Sequence, residues 1–138
     1  MWKPRLLPWI NAVIYDPGTH GRRLATEMLY RMHVGRISHA YSIRELVAML
    51  NKSPFRLVIA DAGGDSRTQA EFVPTLRDWM LRKPHNQVMV LTTADPHESR
   101  IAQLLTLNAN AMLLKPYSPR GFCDRLAHAA LALKREPD

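Results

Sequence analysis

The chain has 138 residues, 46% hydrophobic and 22% charged, which suits one domain with one core and excludes a disordered polymer. Its apolar runs are only a few residues long, which excludes a membrane-spanning helix, and its single cysteine, Cys123, excludes a disulfide framework and a cysteine-rich zinc site. A net charge of +7 favours anionic partners such as nucleic acid, nucleotides or acidic protein faces, but the basic residues are scattered rather than grouped.

Residues 1–10 read as a basic N-terminal arm flanked by Trp2 and Trp9. Prolines interrupt it and no small-residue cleavage site follows, so it is not a signal peptide, and the expected location is the cytoplasm. "NAVIYD" (11–16) is a short apolar strand ending in an acid. Leu24, Met28, Leu29 and Met32 then recur at helical spacing. "GRISHAY" (35–41) is a weak strand. Ser42, three residues before Glu45, is a capping-box start for a second helix, "IRELVAMLNK".

"FRLVIAD" (55–61) is the most strand-like run, rich in apolar and β-branched residues. A glycine-containing loop leads to a third helix with Phe72, Val73, Leu76, Trp79 and Met80 on its apolar side. Its start is expected near Pro74, because proline is tolerated in a first turn. "QVMVLTT" (87–93) is a fourth strand. Asp95-Pro96 reads as the N-cap and first position of a fourth helix bearing Ile101, Leu104 and Leu105. "AMLLK" (111–115) is a fifth strand, and Ser118-Pro119 caps a last helix with Phe122, Leu126, Ala129, Ala130 and Leu133 inward.

Five strand–helix units in succession predict an α/β domain over 11–134, a doubly wound parallel sheet with helices on both faces, followed by a tail at 135–138. In such sheets the site lies beyond the carboxyl ends of the strands. Asp16 ends the first strand, Asp61 the third, Thr92-Thr93 the fourth and Lys115-Pro116 the fifth. Singly, each has an ordinary explanation as a turn residue, a helix cap or a solvated side chain. Together they place two carboxylates, a hydroxyl and an ammonium on one rim. Paired carboxylates repel, and a hard cation such as Mg²⁺ relieves that repulsion while accepting phosphate oxygens. Lysine adds a mobile positive charge for a phosphoryl group. The set suits phosphoryl transfer to a carboxylate, a reaction driven by positioning and charge stabilisation.

These residues resemble the receiver domain of bacterial two-component response regulators over nearly the whole chain, from about Asn11 to Lys134. The resemblance implies the flavodoxin-like strand order 2-1-3-4-5, Asp61 of "LVIAD" as phosphoacceptor, Thr93 of "VLTTAD" as switch hydroxyl, and Lys115 of "LLKPY" as the lysine, with a cis bond to Pro116. Asp16 matches the first member of the family's acid pair, so Asp16 and Asp61 are the expected Mg²⁺ ligands. Three features depart from the pattern. Pro17 replaces the second acid, Met112 stands at the aromatic switch position, and "AGGDSRTQ" follows the acceptor. Asp65 in that segment is a candidate substitute acid.

The resemblance implies a non-enzymatic, stand-alone signalling protein. Its donor would be a histidine kinase or phosphotransferase protein. It would dock to a downstream protein through the fourth helix, fifth strand and fifth helix, including Arg100, Gln103, Leu107, Tyr117 and Arg120. A phosphorylation-independent adaptor that binds an anionic nucleotide, such as a cyclic dinucleotide, or nucleic acid through its basic surface is the alternative, and homodimerisation stays open. A haloacid-dehalogenase-type enzyme fits less well, because Gly18 stands where its second acid belongs. A flavodoxin-type flavin site fits poorly too, since "PGTHG" is a weak phosphate loop. His20 lies near the rim, but His20, His33, His39, His85, His97 and His128 show no metal-ligand spacing.

Overall fold

The computed structural model describes residues 7–82 and 86–135. Trp2, His85, the first part of the arm and the last three residues of the tail lie outside the described residues. Five strands alternate with five helices: β1 (Asn11–Tyr15), α1 (Thr19–Arg31), β2 (Arg36–Ala40), α2 (Ile43–Lys52), β3 (Leu57–Asp61), α3 (Ser66–Met80), β4 (Val88–Thr93), α4 (Glu98–Leu105), β5 (Ala111–Leu114) and α5 (Pro119–Ala130). The strands form one parallel sheet in the order β2-β1-β3-β4-β5, the doubly wound flavodoxin-like arrangement expected from the sequence.

β3 and β4 lie inside the sheet and are buried at every residue, which is why they read as unbroken apolar runs. Alternate residues face opposite layers. Ile14, Ile59 and Val90 pack with Met28, Leu29, Phe122 and Leu126 of α1 and α5. Val13, Val58 and Met89 pack with Leu46, Leu50, Phe72, Leu76 and Leu104 of α2, α3 and α4. Each fully buried side chain of this size contributes about 1.5–3 kcal/mol. The end of the arm joins the first layer. Leu7 and Ile10 are buried, Trp9 packs against that core, and the Leu7 N–H donates to the Met32 carbonyl at 2.7 Å.

Two helix starts, those of α2 and α5, follow their sequence signals. The Ser42 hydroxyl accepts the Glu45 N–H at 3.0 Å, and the Ser118 hydroxyl accepts the Gly121 N–H at 2.9 Å. Two starts differ. α3 begins at Ser66, so Pro74 sits inside the helix rather than at its first turn. The Asp65 carboxylate is the cap, accepting the Thr68 N–H at 2.8 Å and fixing the start at Ser66, well upstream of Pro74. Proline at 74 has no N–H for the Ala70 carbonyl, and one residue away Arg100 donates to the Gln69 carbonyl at 3.1 Å. α4 begins at Glu98, later than the Asp95-Pro96 signal implied, because the Asp95 carboxylate closes a tight local turn by accepting the His97 N–H at 3.0 Å.

Candidate functional site

The carboxyl ends of β1, β3, β4 and β5 bring Asp16, Asp61, Thr92 and Lys115 together. Asp16 follows the last residue of β1 and Asp61 ends β3. Each residue is only 5% exposed, far less than an acid adopts without partners. The Lys115 ammonium lies between them, donating to Asp16 Oδ2 at 2.7 Å and pairing with Asp61 Oδ1 at 2.9 Å. Asp16 Oδ1 accepts the Gly18 N–H at 2.8 Å, and Asp61 Oδ2 accepts the Gly63 N–H at 2.9 Å. Every oxygen of the two carboxylates therefore has a donor. The Lys115–Pro116 bond is cis, as expected.

Glycine makes the close approach of Asp16 and Lys115 feasible. A Cβ on Gly21, in the first turn of α1, would lie 2.3 Å from Asp16 Oδ2 and 2.6 Å from Lys115 Nζ. In the sequence Gly21 stood out only as the end of the weak phosphate loop "PGTHG", not as a point of close packing.

Two carboxylates and one ammonium leave one net negative charge at a largely buried cluster. Burial works to lower the Lys115 pKa, but the hydrogen bond to Asp16 and the charge of Asp61 outweigh it, so the net shift is upward and the ammonium holds its proton more firmly. The same acids act on Tyr15, whose phenol is pushed up by burial first and by Asp61 and Asp16 next. The Arg22 guanidinium lies over the Tyr41 ring, 5.1 Å from its centroid, and donates to the Asp16 backbone carbonyl at 3.0 Å, pinning the β1–α1 turn.

The hydroxyl on the acid cluster belongs to Thr92. It donates to Asp61 Oδ1 at 2.6 Å. The hydroxyl of Thr93, the residue singled out from the sequence, accepts the Asp95 N–H at 3.1 Å. Strand register explains the exchange. Asp61 pairs with Thr92 across β3 and β4, so these two side chains leave the same face and Thr93 leaves the other. The pairing partner was the missing information, because a strand buried on both sides shows no polar alternation.

Pro17 is exposed and supplies no side-chain ligand. Asp65 does not stand in for the missing acid, since its carboxylate caps α3; that N–H bond from Thr68 also holds its pKa below the usual value. Among the described residues no group of three His, Cys, Asp or Glu side chains forms a metal-holding cluster. The donor set nonetheless fits Mg²⁺ in a limited way, because two carboxylates flanking one ammonium keep residual negative charge, and one or two carboxylates are what this ion takes from protein, with water and phosphate oxygens completing its shell.

His20 borders a cavity of about 380 Å³ beside the cluster, together with Leu24, Lys115, Pro116 and Tyr117. On the expected docking face, Gln103 and Arg120 are exposed and Tyr117 is half-buried against Phe122, with ring centroids 5.0 Å apart. Leu107 is not part of that face. The chain turns inward after α4 and buries it at 2% exposure. Arg100 also turns inward, donating to the carbonyls of Ala62 and Gln69, both at 3.1 Å. Met112 is partly buried and lines a cleft of about 340 Å³ with Leu104 and Leu105.

No model of a known protein family matches the chain, and no curated protein matches it in sequence. Solved structures do match its fold. A protein described as a two-component system response regulator with a GGDEF domain superposes with a TM-score of 0.77 at 20% identity, covering 93% of this chain. This chain spans about half of that protein, 51% of its length. The chemotaxis response regulator CheY4 of Vibrio cholerae gives a TM-score of 0.71 at 20% identity, covering 87% of this chain and 98% of its own. A CheY-like response regulator receiver domain protein from Methanospirillum hungatei gives 0.75 at 16% identity, covering 88% and 93%. The fold of this chain is that of CheY-like receiver domains.

Proposed function

We propose that this domain works as a response-regulator receiver, taking a phosphoryl group on Asp61 from a histidine kinase or phosphotransferase protein and passing the signal by docking to a partner protein. The observation that supports this reading is the Asp61 carboxylate held at the sheet's carboxyl edge by Lys115 and Thr92, with Asp16 on the far side of the same ammonium. The receiver fold of the solved structures agrees with it.

In the transfer an Asp61 carboxylate oxygen attacks phosphorus in line, and the bond from phosphorus to the donor's imidazole nitrogen breaks with its electron pair returning to the ring. Asp16 and Asp61 are the residues that would hold Mg²⁺, which would supply neutralisation of the phosphoryl oxygens. On phosphorylation Lys115 would leave Asp16 and pair with a phosphoryl oxygen, breaking the bond at 2.7 Å and freeing β5 and the start of α5 to shift. A switch of this kind needs a preference of a few kcal/mol between two surface states. Thr93 stays a candidate for that coupling, because its carbonyl accepts the Lys115 N–H at 2.7 Å.

The test is intact-mass spectrometry after incubation with acetyl phosphate and Mg²⁺. Wild type is expected to gain one phosphoryl group and Asp61→Asn none. A gain that persists in Asp61→Asn moves the acceptor elsewhere.

A second reading has one specific observation in its favour. With proline at position 17 and both carboxylates neutralised in part by Lys115, the domain is suited to act as a phosphorylation-independent adaptor, its basic surface then meeting an anionic nucleotide. Under that reading no phosphoryl group is taken up, and partner capture is the same for wild type and Asp61→Asn.

A further inference from the structure

We propose that Thr92 is a positioning residue that shortens the lifetime of an aspartyl phosphate at Asp61. This rests on the receiver reading above and adds a residue to it. The two oxygens of Asp61 are held unequally. Oδ1 takes both the Thr92 hydroxyl at 2.6 Å and the Lys115 ammonium at 2.9 Å. Oδ2 takes the Gly63 N–H at 2.9 Å, and position 63 has no Cβ, which would otherwise lie 2.7 Å from that oxygen. Oδ2 is therefore the less encumbered atom and the one that bonds phosphorus. Oδ1 then becomes the carbonyl oxygen of the acyl phosphate, with the Thr92 hydroxyl still against it.

Hydrolysis returns negative charge to Oδ1. A water oxygen bonds to phosphorus, the phosphorus–Oδ2 bond breaks, and its electron pair returns to the Asp61 carboxylate. The protons of the water pass to phosphate and solvent. The leaving carboxylate spreads its negative charge over both oxygens. A hydrogen bond to a charged oxygen is roughly twice as strong as one to a neutral carbonyl, so Thr92 stabilises the departing carboxylate more than the acyl phosphate. Thr92 is 1% exposed and Asp61 5%, so water does not replace the hydroxyl readily once it is removed.

The test compares wild type, T92V and T92S, each confirmed as folded by circular dichroism. Each protein is phosphorylated with acetyl phosphate and Mg²⁺, the donor is removed, and loss of the phosphoryl group is followed by intact mass. T92V is expected to keep the group about fivefold longer, the effect of losing a fraction of a charge-assisted bond, and T92S to match wild type. If T92V does not fold, T92A takes its place with the same expected direction. An unchanged or shorter lifetime in T92V overturns the proposal, as does T92S behaving like T92V, which would make the methyl group rather than the hydroxyl responsible. Wild type that takes up no phosphoryl group overturns the receiver reading and this proposal together, whereas uptake with equal lifetimes overturns this proposal alone.

Discussion

Replacing Gly21 by alanine is a change whose sign distinguishes the site from ordinary helix. In an exposed helix, alanine in place of glycine is favoured by about 1 kcal/mol. At position 21 the new Cβ would lie 2.3 Å from Asp16 Oδ2, so the carboxylate must retreat by 0.7 Å or more to restore a contact of 3.0 Å. That movement breaks the 2.7 Å bond to Lys115, and a charge-assisted hydrogen bond in a nearly buried setting contributes about 1.5–3 kcal/mol. The loss exceeds the gain in helix propensity, leaving G21A less stable by about 0.5–2 kcal/mol. Urea unfolding followed by circular dichroism reads this directly as a lower midpoint with an unchanged slope. In an Asp16→Ala background the penalty shrinks, because the atom that clashes most closely is gone. A midpoint for G21A equal to or above that of wild type would refute the packing argument.

The elevated pKa of Lys115 gives a prediction in alkali. A group whose folded value is raised contributes stability that is fully present below its unfolded value, here 10.5, and is lost as pH rises through the folded value. Urea midpoints are expected to fall above that pH in wild type and to fall less steeply in Lys115→Met. Tyr15 and Tyr117, both raised above 10.0 chiefly by burial, contribute the residual slope with the same sign. Removing Arg100 as R100A leaves the carbonyls of Ala62 and Gln69 without their side-chain donor, and a thermal melt is expected to show a loss of about 1–2 kcal/mol. Removing the α5 cap as S118A costs about 1 kcal/mol by the same measurement.

The sheet was legible because β3 and β4 are apolar up to their polar ends at Asp61 and Thr92-Thr93 and are bounded by glycine, proline and polar clusters. The rim was legible because an acid or a lysine directly after such a run has no use inside the core. What stayed hidden depended on partners distant in sequence. Thr92 and Thr93 are adjacent and chemically identical, and only the pairing of Asp61 with Thr92 decides which hydroxyl meets the carboxylate. Pro74 argued for a helix start by its own constraint, but Asp65 caps α3 upstream and prevailed. Asp95 offered a cap signal that its side chain instead spends on a local turn. Leu107 was placed on the docking face by the resemblance alone, yet the turn after α4 carries it into the core.

Asp61 as acceptor is tested most directly by trapping the acyl phosphate. Borohydride reduction converts a phosphorylated aspartate to homoserine, and tandem mass spectrometry then reads its position. After treatment with acetyl phosphate and Mg²⁺, homoserine is predicted at position 61 and nowhere else. Homoserine at position 16 or 65, or none at all in folded protein, would contradict the assignment.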